Sequence, residues 1–440
     1  MQKLLGDSQA ASLCDAITNT EPQVSIRVNP LKNCPNPLIE SSDLVPWCST
    51  GKYLAARPSF TLDPLFHAGT YYVQEASSMF IEYLYRNLAE VPMRVLDLCA
   101  APGGTATLWR SLLPEGALLV ANEPVQQRAM ILCENMLKWG HPDVVVTKAM
   151  PRDFGRMAGF FDLIAADVPC SGEGMFRKDP ESVTQWSESN VQMCAARQFE
   201  IISDVWPALK EGGYLVYSTC TYNALENEEN VQRICNELGA EAVSLSPEKS
   251  WNVQTNGIGW HFYPHLTRGE GFYAVLLRKV SEQRPNKRRK VRLEAVKTDD
   301  LLRNPADFQY YKNPKNRVEI FALKKTLGDD VATLFDCVNV INAGVPIGEI
   351  VGKKTVPHQG LALSTALFRE NCREFPLDLE QAIAYLRREN IQLPVGEQKG
   401  YALVTYHDVP LGWVNYLGNR CNNIYPQEWR IRQANVGNIK

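Results

Sequence analysis

Five short aliphatic runs constrain the fold of this chain more than any other feature. Residues 94–98 (RVLDL), 117–121 (ALLVA), 143–147 (DVVVT), 161–166 (FDLIAA) and 213–218 (GYLVYS) each stop at Gly, Pro, Asn, Asp or a cysteine-containing turn, as short buried strands do. Between them lie stretches with helical spacing. Segment 124–138 opens with Pro124 at a first-turn position and places its apolar residues three and four apart; Ser189 to Leu209 reads the same way. Strands alternating with helices predict an α/β fold, a doubly wound and mostly parallel sheet with its ligand crevice at the carboxyl ends of the strands. Segment 271–280 (GFYAVLLRKV) adds one more strand, expected to close an antiparallel edge.

That sheet accounts for only part of 440 residues, so additional domains are expected on either side of it. The boundaries read as an N-terminal α/β region (1–90), the sheet-bearing core (91–280), a polar linker (281–299), an intermediate domain (300–360) and a small β-rich module (361–440). The module rests on a helical pattern at 376–391 and a β-hairpin at 401–417 turning around Asp408-Val409-Pro410. Charge is uneven. The chain carries −3 overall, yet residues from 280 onward carry +6. A basic third suits a polyanion partner, and it equally suits an ordinary solvated surface with a basic linker; the run Lys287-Arg288-Arg289-Lys290 has the same two readings.

Several classes are excluded. No apolar run approaches the ~20 residues of a membrane span, and the start, MQKLLGDSQAAS, has neither the basic opening nor the apolar core of a secretory signal. Twelve scattered cysteines without a CxxC pair then indicate free thiols in a reducing cytoplasm. His261 and His265 have ligand-like spacing but no cysteine pair nearby, so no metal is expected.

The chemistry concentrates at strand ends. The first strand runs into Cys99-Ala100-Ala101-Pro102-Gly103-Gly104-Thr105, a glycine turn that opens a helix and lets backbone N–H groups approach a ligand. It is neither GxGxxG nor a phosphate loop. Glu123, 26 residues after Asp97, ends the second strand, where a carboxylate accepts hydrogen bonds from ribose hydroxyls. The fourth strand leads to Asp167-Val168-Pro169-Cys170 and the fifth to Ser218-Thr219-Cys220, which places two cysteines on one crevice. A buried cysteine alone is usually an inert small hydrophobe; two at ligand-facing strand ends, one behind an Asp-x-Pro, are suited to covalent attack on an otherwise unreactive ring.

VLDLCAAPGGT, FDLIAADVPCSGEGMFRKDP and GGYLVYSTCTYNALENEENV resemble the Nop/Sun family of RNA cytosine-C5 methyltransferases, and GEGMFRKDP resembles its RsmF branch of bacterial ribosomal RNA enzymes. SIRVNPLK (25–32) and YYVQEASSMF (71–80) match that family too, and 400–432 resembles the PUA-like C-terminal module of the branch, so the likeness covers nearly the whole chain. The resemblance implies a Rossmann-like methyltransferase core, an RNA-binding N-terminal region and a PUA-like RNA-binding end. It implies S-adenosylmethionine as cofactor, held by Cys99, Ala100, Ala101, Pro102, Gly103, Gly104, Thr105, Glu123 and Asp167. It makes Cys220 the nucleophile on cytosine C6, Asp167 the group supporting protonation at N3, and Cys170 the residue that assists release of 5-methylcytosine. The target base has to leave its stack for this. Ribosomal RNA or the small ribosomal subunit is the implied partner, and the enzyme is expected to be a cytoplasmic monomer.

The chain departs from the family pattern at three points. Thr105 stands where lysine is common, Val168 replaces alanine before the Pro-Cys pair, and Met150 occupies the position of an aspartate that meets adenine, with Asp153 three residues on. Arg177, Lys178 and Asp179 read either as a steering loop for phosphate or base, or as exposed charge. Trp413, Tyr416, Arg420, Tyr425 and Trp429 are candidates for stacking on RNA or tracking it, Trp413 also for the core, and Asn422 and Asn423 read as turn residues. A transfer RNA enzyme and a non-catalytic ribosome-assembly factor remain alternatives. A DNA cytosine-C5 methyltransferase would use Cys170 as nucleophile and Glu229-Asn230-Val231 against the base; that triplet falls in a predicted helix here.

Overall fold

The computed structural model describes residues 2–32, 36, 42–284, 292–298, 301–352 and 354–433. The run Lys287-Arg288-Arg289-Lys290 lies outside them.

The aliphatic runs become strands β5 (Arg94–Asp97), β6 (Leu118–Asn122), β7 (Val144–Thr147), β8 (Phe161–Asp167) and β9 (Leu209–Thr219), largely buried on both faces as a covered parallel sheet requires. β10 (Ala240–Ala242), β11 (Trp260–Phe262) and β12 (Phe272–Lys279) follow. β5 pairs in parallel with both β6 and β8, β6 with β7, and β8 with β9, while β12 runs antiparallel to β9. Strand order therefore reverses at β5 and β8, the position where a doubly wound sheet opens a crevice. The edge differs from expectation. β12 pairs with β10 and β11 on its outer side, so the short β10 closes the sheet. The helix Gln126–Trp139 covers the β6–β7 side, and the helix Glu188–Val205 returns the chain to β9.

Ahead of the core, β1 (Ser25–Val28), β2 (Asp43–Leu44), β3 (Gly51–Tyr53) and β4 (Tyr71–Val73) form an antiparallel sheet in the order β2-β3-β1-β4. Arg27 locks it to the core. Its buried guanidinium donates to Gln74 Oε1 at 2.7 Å and Gly104 O at 3.3 Å, and it lies 4.7 Å from the Trp139 ring. Asn29 Nδ2 adds bonds to Gly69 O at 2.9 Å and Trp139 O at 3.0 Å.

Beyond the core, β13 (Phe308–Lys312) and β14 (Glu319–Lys324) pair antiparallel, and β14 continues through β16 (Val345–Val351) to β17 (Lys354–Pro357). Residues 300–360 divide between two sheets. β15 (Val340–Ala343) pairs antiparallel with β7 and extends the central sheet, and Val331 and Leu334 of the helix Gly328–Cys337 join the same apolar core as Leu96 and Ile164. The expected linker is likewise partly structured: Ala295 bridges Tyr311, and Lys312 N donates to Glu294 O at 3.0 Å.

The last sheet is β18 (Glu374–Pro376), β19 (Gly400–Tyr406), β20 (Val409–Tyr416) and β21 (Cys421–Asn423) in that order, with the helix Leu379–Leu386 beside it. Its hairpin turns at His407 and Asp408, both at positive φ, one step before the expected position. Tyr416 and Tyr425 are not RNA-stacking faces: both are buried in an apolar cluster that also holds Ile26 and Tyr71, so the two end modules share one core. Trp413 is buried as well, and Asn422 and Asn423 lie on β21 and not in a turn; Asn423 Nδ2 donates to Tyr385 O at 2.8 Å. No helix among the described residues is long and apolar enough to cross a membrane.

Candidate active site

The carboxyl ends of β5, β6, β8 and β9 converge on one crevice. After β5 the chain turns through the loop 99–103, with Gly103 at φ 124°, and starts the helix Gly104–Leu112. Asp97 is fully buried. Its Oδ2 accepts from Thr105 Oγ1 at 2.8 Å while Oδ1 has no partner. Thr105, which replaces the common lysine, thus serves the strand end instead of reaching outward. Burial raises the Asp97 carboxyl to about 7, with Thr105 opposing the shift and Asp167 adding to it.

Glu123, buried just after β6, accepts from Val125 N at 2.9 Å and lies 3.3 Å from Arg128 Nη2. Asp167 ends β8, directly opposite Ser218 in the β8–β9 register, and accepts from Ser218 Oγ at 3.0 Å. Burial raises its carboxyl to about 6 against that hydrogen bond. Burial first, then the carboxylates of Asp97, Asp167 and Glu123, push the Cys99 thiol up.

The two thiols meet. Cys170 and Cys220, both free, put their Sγ atoms 3.2 Å apart. The hydrogen bond to Cys220 and then burial hold Cys170 in its protonated form. The two cysteine loops also touch through backbone, Gly174 N donating to Cys220 O at 2.8 Å. A Cβ at Gly174 would lie 2.8 Å from that oxygen and 2.5 Å from Gly271 O, so this close approach requires glycine.

Other predicted residues have local work. Arg177 is not a free steering group: it forks onto Glu270 at 3.0 and 2.8 Å and donates to Gly269 O at 2.9 Å, while Lys178 lies 3.6 Å from Glu270 and Asp179 caps the next short helix by accepting from Glu181 N at 3.0 Å. Asp153 accepts from Met150 N at 3.0 Å and so caps its own short helix. Asn230 lies in the helix Glu228–Leu238 and is committed to Ala195 O at 3.0 Å and Gln198 Oε1 at 2.9 Å, which removes it from the crevice. His261 is buried with Nε2 2.6 Å from Glu228 Oε1. Among the described residues no His, Cys, Asp or Glu cluster is arranged to hold a metal. Arg27, whose guanidinium donates to Gly104 O just after the 99–103 loop, sits in the SIRVNPLK segment, where an isolated arginine within a short strand carries no signal of that contact.

The core that carries this crevice, residues 87–278, matches the family model described as 16S rRNA methyltransferase RsmB/F. Residues 1–76 match the N-terminal domain of 16S rRNA methyltransferase RsmF, and 372–431 the methyltransferase RsmF PUA domain. A solved methyltransferase homolog from Pyrococcus horikoshii shares the fold at TM-score 0.53 with 27% identity, over 63% of this chain and 92% of that one. Sheet order and crevice are therefore those of a Rossmann-like methyltransferase with a C-terminal PUA domain.

Relatives narrow the class. Ribosomal RNA small subunit methyltransferase F of Aliivibrio salmonicida is 30% identical over 443 residues, covering 94% of this chain and 92% of its own length. The same-named protein of Aliivibrio fischeri (strain MJ11) is 31% identical over 446 residues, with the same coverage. The chain belongs to the ribosomal RNA small subunit methyltransferase F family.

Proposed function

We propose that this protein methylates C5 of a cytosine in small-subunit (16S) ribosomal RNA through a covalent bond between Cys220 and C6. The 3.2 Å approach of the Cys170 and Cys220 sulfurs beside Asp167 carries the reading. S-adenosylmethionine, when bound, supplies an electrophilic methyl group on a sulfonium. The residues fit it: Asp97, Glu123 and Asp167 stand at the ends of neighbouring strands beside the Cys99–Thr105 loop, and the buried Asp97 Oδ1 has no partner. Cys99 to Thr105, Glu123 and Asp167 would hold it.

Cytosine C5 is a weak nucleophile, and Cys220 changes that. Its thiolate adds to C6 of a base turned out of the stack, while a protonated Asp167 supplies a proton at N3. The adduct has enamine character, which makes C5 nucleophilic. Once C5 is methylated, its proton passes to water as the C5–C6 double bond reforms and the C6–S bond breaks to expel the Cys220 thiolate. The Cys170 thiol 3.2 Å away gives that sulfur a proton, and the N3 proton returns to the Asp167 carboxylate. Aspartic acid raised to about 6 retains a protonated fraction near neutral pH, as this role needs. The PUA domain suits a structured RNA.

The test is product identification. Small-subunit RNA and, in a parallel reaction, transfer RNA are incubated with protein and methyl-labelled S-adenosylmethionine, then digested to nucleosides. Label in 5-methylcytidine is expected; label in any other nucleoside, or label only with transfer RNA, overturns the assignment.

A further inference from the structure

Two buried glutamates cross between the cysteine loops in opposite directions. Glu226 belongs to the Cys220 loop but serves the Cys170 loop: its Oε2 accepts from Ser171 N at 3.0 Å and its Oε1 from the Ser171 hydroxyl. Glu173 belongs to the Cys170 loop but serves the Cys220 loop: its Oε2 accepts from Thr221 Oγ1 at 2.8 Å, Tyr222 N at 2.8 Å and Asn223 N at 3.0 Å. Each is anchored elsewhere. Gln198 Nε2 donates to Glu226 Oε2 at 2.7 Å and to Pro169 O at 3.0 Å, and Trp186 Nε1 donates to Glu173 Oε1 at 2.9 Å. We propose that Glu173 and Glu226 are reciprocal positioning residues that set the separation of Cys170 and Cys220, Glu226 holding Cys170 and Glu173 holding Cys220.

The chemistry of the pair supports this. A buried carboxylate costs free energy unless donors surround it, and here several donors converge on each, among them backbone N–H groups directly after Cys170 and close after Cys220. A glutamine in either place turns an NH2 toward donors and leaves them unpaired, so the loop it holds relaxes. The effects should divide. Loss of Glu226 frees Cys170 and impairs release; loss of Glu173 frees Cys220 and impairs attack. This division rests on the roles given above to the two cysteines, whereas the separation itself does not.

The experiment uses the full chain as wild type, Glu226→Gln, Glu173→Gln and Cys170→Ser. Phenylarsine oxide, which condenses with two neighbouring thiols and releases water, first reports thiol spacing without RNA or methyl donor. Cys170→Ser defines the signal from this pair. Both glutamine variants should bind the arsenical about tenfold more weakly than wild type, because a pre-set pair is lost. Single-turnover methylation then reads the division. Glu226→Gln should accumulate covalent protein–RNA adduct with a near-normal first turnover, and Glu173→Gln should slow the first turnover about tenfold or more without adduct. Unchanged arsenical binding in both variants overturns the proposal, as does an adduct pattern that is reversed or identical. If circular dichroism shows either glutamine variant unfolded, Glu226→Asp and Glu173→Asp take the same assays, with the same outcomes deciding. A wild type that binds the arsenical tightly but methylates no RNA contradicts the proposed reaction, and arsenical binding still decides on the separation.

Discussion

Ser218 donates to Asp167 across the β8–β9 ladder, and this is the hydrogen bond that opposes the burial-driven rise of the Asp167 carboxyl. The two residues face each other in register, so the bond follows from strand pairing. Removing it should let burial act unopposed. In Ser218→Ala the Asp167 titration midpoint, followed by carbon-detected NMR of labelled aspartate, should move above the wild-type value of about 6 by roughly half to one unit. A wild-type midpoint at the ordinary 3.8 would contradict the environment described for this carboxyl.

Asp97 predicts a pH-dependent stability. Its folded-state value of about 7 stands above the ordinary 3.8, so the native state holds the proton over that interval and the unfolded chain does not. Stability from this group is full below pH 4 and is lost as pH rises through 7. Asp97→Asn, neutral throughout, should match wild type near pH 4 and exceed it by roughly 2–4 kcal/mol at pH 8 in the absence of ligand. Denaturant midpoints at the two values check this; equal differences at both would refute it.

Arg27 ties three pieces together: the N-terminal sheet, Gln74 and the loop at Gly104. Arg27→Met keeps much of the bulk against Trp139 but orphans buried acceptors. It should cost about 2–4 kcal/mol in chemical unfolding. It should also weaken donor binding, measured by calorimetry, more than it slows single-turnover methylation at saturating donor.

Gly174→Ala has to push apart the Cys220 and Gly271 carbonyls that a Cβ would meet at 2.8 and 2.5 Å. About 1–3 kcal/mol of strain is expected, with methylation reduced about tenfold or more. Retained activity with unchanged thermal stability would show that the two loops tolerate a wider approach.

The strands and the helix Gln126–Trp139 were legible because a covered parallel sheet leaves continuous aliphatic runs, and because the helix spaces its apolar residues three and four apart; Pro124 precedes the N-cap Val125 and so lies outside the first turn expected for it. The meeting of Cys170 and Cys220 was legible from their places at two strand ends. Glu173 and Glu226 were not. Each lies in a polar stretch that reads as surface, and only the folded loops bring donors to them. β15 escaped because Val-Ile-Asn-Ala is too short to announce a sheet of its own; its partner β7 lies almost two hundred residues back. The C-terminal aromatics read as RNA contacts since nothing in their spacing tells a stacking face from a core; Tyr416 packs on Phe375 and Tyr425 on Tyr385, inside the cluster that also holds Ile26.

Attack by Cys220 and release by Cys170 are separated by incubating wild type, Cys170→Ala and Cys220→Ala with small-subunit RNA and labelled methyl donor, then resolving protein and RNA on a denaturing gel. A stable covalent protein–RNA band is expected in Cys170→Ala, and neither band nor methylated RNA in Cys220→Ala. Methylated RNA from Cys220→Ala, with no adduct in Cys170→Ala, would contradict this assignment and make Cys170 the nucleophile.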